Sequence, residues 1–410
     1  MEKNVKISEL LKEQIENSEY PVVGAIVNNE YKSLDAEVAG DEKIELIDIN
    51  SKEGMKIYRR TLTYIMGNAF WHIYPEAHVI VNYQLSNAMY CNIENMEVTD
   101  EMLEKVKAKM QEIISQDLKI EKKVMTREEA EKFYEETNSA KGRLQFDLED
   151  RKNINMYYCD DYYNYIYEVI ATHTGVTKIF DLKKYSNGFL LRYPSSKNVN
   201  VLPEFHETKK LLWALQEYET IYKVLNVGTV YRLNRAVKED RIKYLILLSE
   251  ALHEKKISQI ADKIAAKKGV KMILIAGPSS SGKTTFAQRL GIQLKINGLR
   301  PVTISVDNYF VERKDTPLNE KGEYDFESID AIDTELFNKH LLALLNGEEV
   351  EMPEFDFHEG TKRYNGNKIK LGKDDVLVIE GIHCLNDKLT AKISKDQKYK
   401  IYISALTVLN

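Results

Sequence analysis

The residues with the clearest chemical pattern form a glycine-rich loop that leads into a helix-like segment. The loop and the first residues after it are Gly277, Pro278, Ser279, Ser280, Ser281, Gly282, Lys283, Thr284 and Thr285. They fit G-x-x-x-x-G-K-[ST] at every fixed position, a pattern in which successive backbone N–H groups converge on an anion. Lys283 can add positive charge near the outer phosphates, and Thr284 can offer a hydroxyl to Mg²⁺. The loop therefore predicts a site for ATP or GTP with Mg²⁺.

Two acidic residues further along the chain each follow a short apolar run. Asp307 comes after the first run and Glu380 ends the second. Because the carboxyl ends of parallel strands meet at one edge of a sheet, both acids should lie near the loop. One carboxylate can accept a proton from an attacking hydroxyl, and another can hold Mg²⁺ directly or through water. We assign catalysis to Asp307 and Lys283, and the metal to Thr284 and Glu380. The alternative for Asp307 is a strand-end Asp that caps the next turn.

The elements that must position these groups follow from a regular alternation in the C-terminal part of the chain. Strands are predicted at 271–276, 302–306, 375–380 and 399–404, with a long helix after the loop. Alternating strands and helices indicate a parallel sheet covered on both faces. We therefore expect residues 269–410 to be an α/β P-loop kinase domain, although it ends on a strand and lacks an R-x-x-R lid. That ending predicts a truncated domain with weak turnover on its own.

The chain before the loop combines α+β and helical patterns, which gives a multidomain protein. Residues 1–54 contain a helix-like start and strands at 22–27 and 44–49. Residues 55–200 form a larger α+β block with a helix at 99–117 and a capping box at 126–129. Residues 201–268 are predicted to be a helical connector containing two amphipathic helices, at 240–251 and 257–266.

Several segments of the C-terminal part resemble the uridine kinase/phosphoribulokinase family. They are residues 277–284, 305–310, 324–327, 353–357 and 379–382. The resemblance implies transfer of the γ-phosphoryl group to the 5′-hydroxyl of a nucleoside, with uridine or cytidine as the expected acceptor. It also implies that Asp307 is the catalytic base and that Asp325 binds the ribose hydroxyls.

The same resemblance suggests how the acceptor is held. Phe355 stands where uridine–cytidine kinases have a tyrosine that contacts the base, and Tyr309 and His358 are further candidates for binding the substrate. The family's histidine five residues after that tyrosine is replaced here by Gly360. The resemblance therefore implies phosphoryl transfer more directly than it implies a particular base.

The first 200 residues resemble two modules of threonyl-tRNA synthetases. Residues 1–54 are similar to the β-grasp TGS domain through A-I-V-N-N-E, L-D and I-E-L-I-D, and residues 55–200 to the second additional, editing-like domain through 60–69, 74–75 and 174–182. The synthetases carry a His-x-x-x-His pair where this chain has Tyr64 and Asn68. Neither residue is an acid–base group near neutral pH, so the resemblance implies the fold and a binding surface without ester hydrolysis.

Composition limits the possible partners and location. The net charge of −6 disfavours non-specific binding to nucleic acid, while the synthetase-like half leaves tRNA open. The sequence shows neither a signal peptide nor an apolar run of membrane-spanning length. Cys91, Cys159 and Cys384 are far apart and form neither a disulfide framework nor a metal pattern, which favours the cytoplasm.

Three other functions stay open beside the nucleoside kinase. One is a sugar or sugar-phosphate kinase of the same family. Another is a GTPase-type switch, which is disfavoured because the guanine-reading pattern N-K-x-D is absent. The third is a nucleotide-binding regulatory protein whose N-terminal half senses tRNA or a small ligand. A homo-oligomer is compatible with each of them.

Overall fold

The computed structural model describes residues 4–40, 42–136 and 153–405. The chain divides into two compact units, the first extending to Asp240 and the second beginning at Arg241. The second unit therefore begins earlier than the predicted kinase boundary at residue 269. The assignment of 1–54, 55–200, 201–268 and 269–410 to separate domains stays a prediction.

The first unit opens with a small α+β module. Its elements are β1 (Val5–Lys6), α1 (Ile7–Leu10), α2 (Lys12–Glu16), β2 (Val22–Val27), β3 (Glu30–Lys32), β4 (Glu37–Val38) and β5 (Ile44–Asp48). The strands form an antiparallel sheet of order β3-β2-β5 and a separate β1-β4 pair. Asn28 and Asn29 join β2 to β3 with φ values of 50° and 66°, a left-handed pair that tight hairpin turns favour.

The rest of the first unit contains two antiparallel sheets and five helices among the described residues. The elements are α3 (Lys52–Ile73), β6 (Val79–Leu85), β7 (Ala88–Ile93), α4 (Asp100–Ser115), β8 (Glu121–Thr126), α5 (Arg127–Glu136), β9 (Asn153–Cys159), β10 (Tyr162–Tyr165), β11 (Asp181–Tyr185), β12 (Gly188–Arg192), α6 (Lys209–Leu225) and α7 (Val230–Lys238). The sheets have the orders β11-β12-β7-β6 and β10-β9-β8. One face of α3 is buried in the main core of this unit.

The helix starts predicted from capping residues are confirmed. The Thr99 hydroxyl accepts a hydrogen bond from the Met102 N–H at 3.2 Å, which begins α4. At α5 the Thr126 N–H donates to the Glu129 carboxylate at 2.8 Å, and the Glu129 N–H donates back to the Thr126 hydroxyl at 3.2 Å. This reciprocal pair is a capping box, which satisfies backbone donors that the helix itself leaves unpaired.

The second unit is built on a parallel sheet. Its elements are α8 (Ile242–Ala266), β13 (Met272–Ala276), α9 (Lys283–Ile296), β14 (Arg300–Ser305), α10 (Thr334–Leu345), β15 (Val350–Asp356), β16 (Thr361–Ile369), β17 (Asp375–Glu380) and β18 (Lys398–Tyr402). The order β14-β17-β13-β18 is parallel throughout, and β13 is buried along its whole length. The four predicted strands and the parallel α/β sheet are therefore confirmed.

Two features of this unit differ from the predictions. Residues 240–251 and 257–266 belong mostly to one helix, α8, because residues 252–256 contain neither Gly nor Pro to interrupt it. The second half of α8 packs on the sheet through Ile257, Ala261 and Ile264, and the assignment of residues 201–268 as a connector stays a prediction. The antiparallel hairpin β15-β16 was not predicted from the sequence.

None of the helices within the described ranges is both long and apolar enough to cross a lipid bilayer. The three cysteines, Cys91, Cys159 and Cys384, are buried as free thiols.

Candidate active site

The glycine-rich loop links the end of β13 to the start of α9. Gly282 has φ 84° and Ser280 has φ 57°, so two residues of the loop adopt the left-handed conformation that turns backbone N–H groups towards a common point. The loop also approaches the chain after β18 closely, because a Cβ added to Gly277 would lie 2.3 Å from the Ile403 carbonyl oxygen. The N-terminus of α9, a helix of 14 residues, adds its partial positive charge at the same place.

The polar side chains of the loop are arranged to receive an anion. The Lys283 ammonium donates to the Pro278 carbonyl oxygen at 2.9 Å, which folds this positive charge back over the loop. The Ser281 hydroxyl is buried without a hydrogen-bond partner among the described residues. A buried hydroxyl without a partner is costly, and a phosphate oxygen would satisfy it. Loop and lysine therefore fit a phosphate chain.

The Glu380 carboxylate lies beside this loop because of strand order. Strand β17 runs between β13 and β14, and Glu380 is level with Ile275 on one side and Ser305 on the other. Its side chain accepts a hydrogen bond from the Thr284 hydroxyl at 3.3 Å, and the residue is only 8% exposed. A hydroxyl and a carboxylate side by side are oxygen ligands of the type that Mg²⁺ prefers, so these two residues fit the predicted metal.

The Asp307 carboxylate completes the row of strand ends. It lies in the short 3₁₀ turn Val306–Tyr309, directly after β14. Loss of hydration in the crevice raises the pKa of Asp307, and the charges of Lys283 and His383 act in the opposite direction. A carboxyl with a raised pKa is a better proton acceptor than an ordinary Asp, provided that it is ionised. The structure thus places Lys283 close enough to Asp307 to influence its charge.

Comparisons with known proteins find relatives of the C-terminal part of the chain. A sequence model of the Phosphoribulokinase / Uridine kinase family matches residues 272–409. The C-terminal part of the chain is therefore similar to the domain that this model describes. A uridine kinase of Mycoplasma genitalium is 36% identical over 137 residues, which cover 33% of this chain and 61% of that protein. The structure of a possible uridine kinase from Bacillus stearothermophilus aligns with 24% identity and a TM-score of 0.31, over 36% of this chain and 79% of that chain.

The N-terminal region has relatives of another kind. A threonine–tRNA ligase of Clostridium kluyveri is 28% identical over 191 residues, covering 46% of this chain and 30% of that protein. Such ligases match the N-terminal region, in agreement with the predicted synthetase-like modules. The chain thus spans less than a third of the length of these ligases and 48% to 61% of the uridine kinases it matches.

The predicted substrate residues of the kinase-family domain fall into two groups. Phe355 is buried on β15 within an aromatic cluster, with its ring centroid 5.6 Å from Phe310 and 5.1 Å from Phe357. The Phe326 ring, next to Asp325 in the chain, contacts the same Phe310 at 6.2 Å. The structure therefore brings the segments of Phe355 and Asp325 together around one aromatic cluster beside the turn that carries Asp307.

Tyr309 and His358 do not belong to this group. Tyr309 is buried in the core, and its hydroxyl lies 3.1 Å from the His340 ring nitrogen Nδ1, so its side chain presents no surface to a ligand in this structure. Its assignment as a substrate residue stays a prediction, and in this structure its side chain packs in the core beside the turn. His358 is exposed on the β15-β16 turn, with its N–H donating to Asp356 at 2.9 Å, and its role stays a prediction.

The sequence analysis missed His383. A Cβ added to Gly381 would lie 2.7 Å from the Val306 Cβ, so the chain after β17 packs tightly against the turn that contains Asp307. Burial lowers the pKa of His383, while backbone hydrogen bonding at Ser328 and the charges of Asp307 and Asp325 act to raise it. The one sequence signal was its position three residues after Glu380.

Tyr64 and Asn68, which stand where the synthetases have an acid–base pair, are buried in the first unit. The Tyr64 hydroxyl donates to the carbonyl oxygens of Tyr157 and Tyr162 at 3.2 and 3.1 Å, and burial raises the pKa of this phenol. Asn68 is also buried. Both side chains are core residues of the first unit.

The close approach at Gly277 gives a first testable prediction. Gly277→Ala should destabilise the second unit by about 1–3 kcal/mol and weaken ATP binding, because the new methyl group overlaps backbone that cannot move freely. Gly372→Ala is the matched control, since an added Cβ there meets its nearest atom at 3.4 Å. Thermal unfolding with and without ATP measures both effects. Equal behaviour of the two variants would contradict the packing described for the loop.

Proposed function

We propose that the protein is a nucleoside kinase that uses ATP or GTP, with uridine or cytidine as acceptor. The observation that supports this most strongly is the adjacency of three strand ends, which bear the phosphate loop, Glu380 and Asp307. A site of this kind combines a cradle for phosphates, oxygen ligands for a metal and a carboxylate for an attacking hydroxyl. Those are the parts that phosphoryl transfer to an alcohol requires.

Each residue of the site has a specific part in the proposed reaction. The loop N–H groups and the N-terminus of α9 hold the phosphates, and Lys283 stabilises the negative charge on the transferring group. Asp307 orients the acceptor hydroxyl and takes up its proton as the new oxygen–phosphorus bond forms. The bond between the γ-phosphorus and the β–γ bridging oxygen breaks at the same centre, and the nucleoside diphosphate leaves. Thr284 and Glu380 would hold Mg²⁺, which when bound supplies charge stabilisation to the phosphates.

The acceptor site is proposed to lie along the aromatic cluster. Phe355, Phe310 and Phe357 offer apolar ring faces suited to a planar base, and Phe357 is largely exposed. Asp325 is half-buried next to Phe326 and can accept hydrogen bonds from ribose hydroxyls. Aromatic rings with a few placed polar groups are typical of nucleoside pockets.

A panel of acceptors tests the proposal directly. The purified protein is given ATP or GTP with Mg²⁺ and each of the common nucleosides, ribose, ribulose 5-phosphate and D-glycerate, and formation of the phosphorylated product is followed by mass spectrometry. We expect uridine or cytidine to be phosphorylated. Exclusive phosphorylation of a sugar or sugar phosphate would contradict the proposed acceptor but agree with the proposed phosphoryl transfer. A failure of every acceptor would favour the nucleotide-binding regulatory protein.

The raised pKa of Asp307 leads to a prediction for pH dependence. A base with a raised pKa is protonated, and inactive, at pH values below that pKa, so kcat/KM should rise with pH through it and then level off. The midpoint should lie above the ordinary Asp value of about 3.9. His383→Asn should move the midpoint to higher pH, because the positive charge of His383 lowers the pKa of Asp307. An unmoved midpoint would mean that another group titrates.

A further inference from the structure

The first unit contains a cavity that the proposed kinase reaction does not use. Its volume is about 440 Å³, which suits a small molecule rather than a folded partner. The residues that line it are Asn29, Glu30, Tyr31, Glu53, Lys56, Ile57, Arg60, Lys122, Asn155, Tyr157, Tyr167, Glu168 and Val169. They come from the β2-β3 turn and β3, the first turns of α3, strands β8 and β9, and the chain that follows β10. Tyr64 and Asn68 do not line it, so the cavity is distinct from the place where the synthetases have their histidine pair.

The acidic groups of the cavity are already neutralised or stabilised. Glu168 forms an ion pair with Arg60, whose guanidinium also donates to the Val169 carbonyl oxygen at 3.2 Å. Glu30 pairs with Lys32 at 2.6 Å. Glu53 lies in the first turn of α3, where the helix N-terminus favours negative charge. None of the three carboxylates therefore calls for a cationic ligand.

The basic groups are in the opposite situation. The side-chain ammonium groups of Lys56 and Lys122 have neither a hydrogen-bond partner nor an acidic partner within the residues that the structure describes. Lys122 stands opposite Tyr157 in the β8-β9 ladder, which directs it to the face of the sheet that lines the cavity. Burial and the nearby charge of Lys32 lower the pKa of Lys122. An anion beside Lys122 would oppose both effects and raise the pKa of Lys122, because it would favour the charged form of the lysine.

Tyrosine rings supply the apolar part of the lining. Tyr31 is 52% exposed and Tyr167 is 61% exposed, whereas Tyr157 is buried in the wall. Exposed tyrosine rings cost free energy in water and pack readily against a planar group. A planar ring is therefore the apolar group that this cavity suits best.

We propose that this cavity binds a small anion that carries a planar ring, such as an aromatic phosphate or carboxylate. The oxyanion pairs with Lys122 and Lys56, near the guanidinium of Arg60, and the ring packs against Tyr31 or Tyr167. Charge-assisted hydrogen bonds to the lysines supply the affinity, and the tyrosines select ligands with a ring over simple anions. The first unit would then be a ligand-binding part of the protein.

Calorimetric titration of the whole protein with phenyl phosphate tests this site. We expect saturable binding that weakens about tenfold in Lys122→Gln and in Lys56→Gln, the effect of losing one charge-assisted contact. Lys123→Gln is the matched control, because Lys123 is the next residue of β8, lies opposite Met156 and faces away from the cavity. Inorganic phosphate and phenol should each bind more weakly than phenyl phosphate.

A second measurement separates this cavity from the kinase site. Lys283→Met removes the lysine of the phosphate loop, so binding of phenyl phosphate that persists in this variant takes place elsewhere. Persistence there, together with loss in Lys122→Gln at an unchanged melting temperature, supports the proposal. Binding that is lost in Lys283→Met but retained in both cavity variants overturns it, and so does an absence of binding to the unaltered protein. Neither result depends on whether the protein phosphorylates nucleosides.

Discussion

Asp307→Asn should abolish most phosphoryl transfer while leaving nucleotide binding close to that of the unaltered protein. The amide keeps the shape of the carboxylate but cannot accept the proton of the acceptor hydroxyl, so kcat should fall roughly 10²- to 10⁴-fold. The phosphate loop is untouched, and removal of the nearby negative charge at Asp307 should favour an anionic ligand at Lys283. Initial rates with the best acceptor and ATP titration by calorimetry measure the two effects separately.

A matched acid at the other end of the sheet provides the control for this variant. Asp374 lies just before β17 begins and pairs with Arg300 at 3.6 Å on the exposed surface. Asp374→Asn should retain full activity, because exposed ion pairs contribute little and this one is remote from the strand ends of the site. If Asp307→Asn remained as active as Asp374→Asn, Asp307 would be only the turn-capping residue considered at the start.

The parallel sheet could be predicted from the sequence because its strands are continuous apolar runs. Strands covered on both faces, such as β13 and β17, are apolar at nearly every position and do not alternate between polar and apolar residues. The glycine-rich loop pattern marks the end of β13. The helix starts at Thr99 and Thr126 were equally readable, because a cap is a local interaction between residues three apart. Predictions succeeded where the physical cause lies within a few residues.

The parts that were missed depend on contacts distant in sequence. Strand β16 is exposed along most of its length and shows no apolar alternation, so nothing local distinguished it from a polar loop. Tyr309 follows the end of a strand, which is a common position for a ligand-binding residue. Its hydroxyl, however, lies beside His340, 31 residues further along the chain. His383 became recognisable only when the packing of Gly381 on Val306 brought it to Asp307. Side-chain direction at a strand end is decided by tertiary packing, which spacing alone does not reveal.

Lys283→Met should produce the second large loss, and of a different kind. The methionine chain fills a similar space but removes the positive charge that the structure holds over the loop at the Pro278 carbonyl oxygen. Affinity for ATP should weaken, and kcat should fall roughly 10²- to 10³-fold, because the transferring phosphoryl group loses a preorganised charge partner.

The pH profile of the remaining activity tests whether Lys283 and Asp307 act on each other. The charge of Lys283 lowers the pKa of Asp307, so its removal should move the acid side of the profile to higher pH. Lys295→Met is the control, since this exposed lysine lies in the last turn of the same helix and should leave both rate and profile nearly unchanged. A profile that stays in place while the rate falls would show that Lys283 contributes to phosphate binding alone. A fall in kcat together with a shift of the pH profile would show that Lys283 also lowers the pKa of Asp307, the base that accepts the proton of the acceptor.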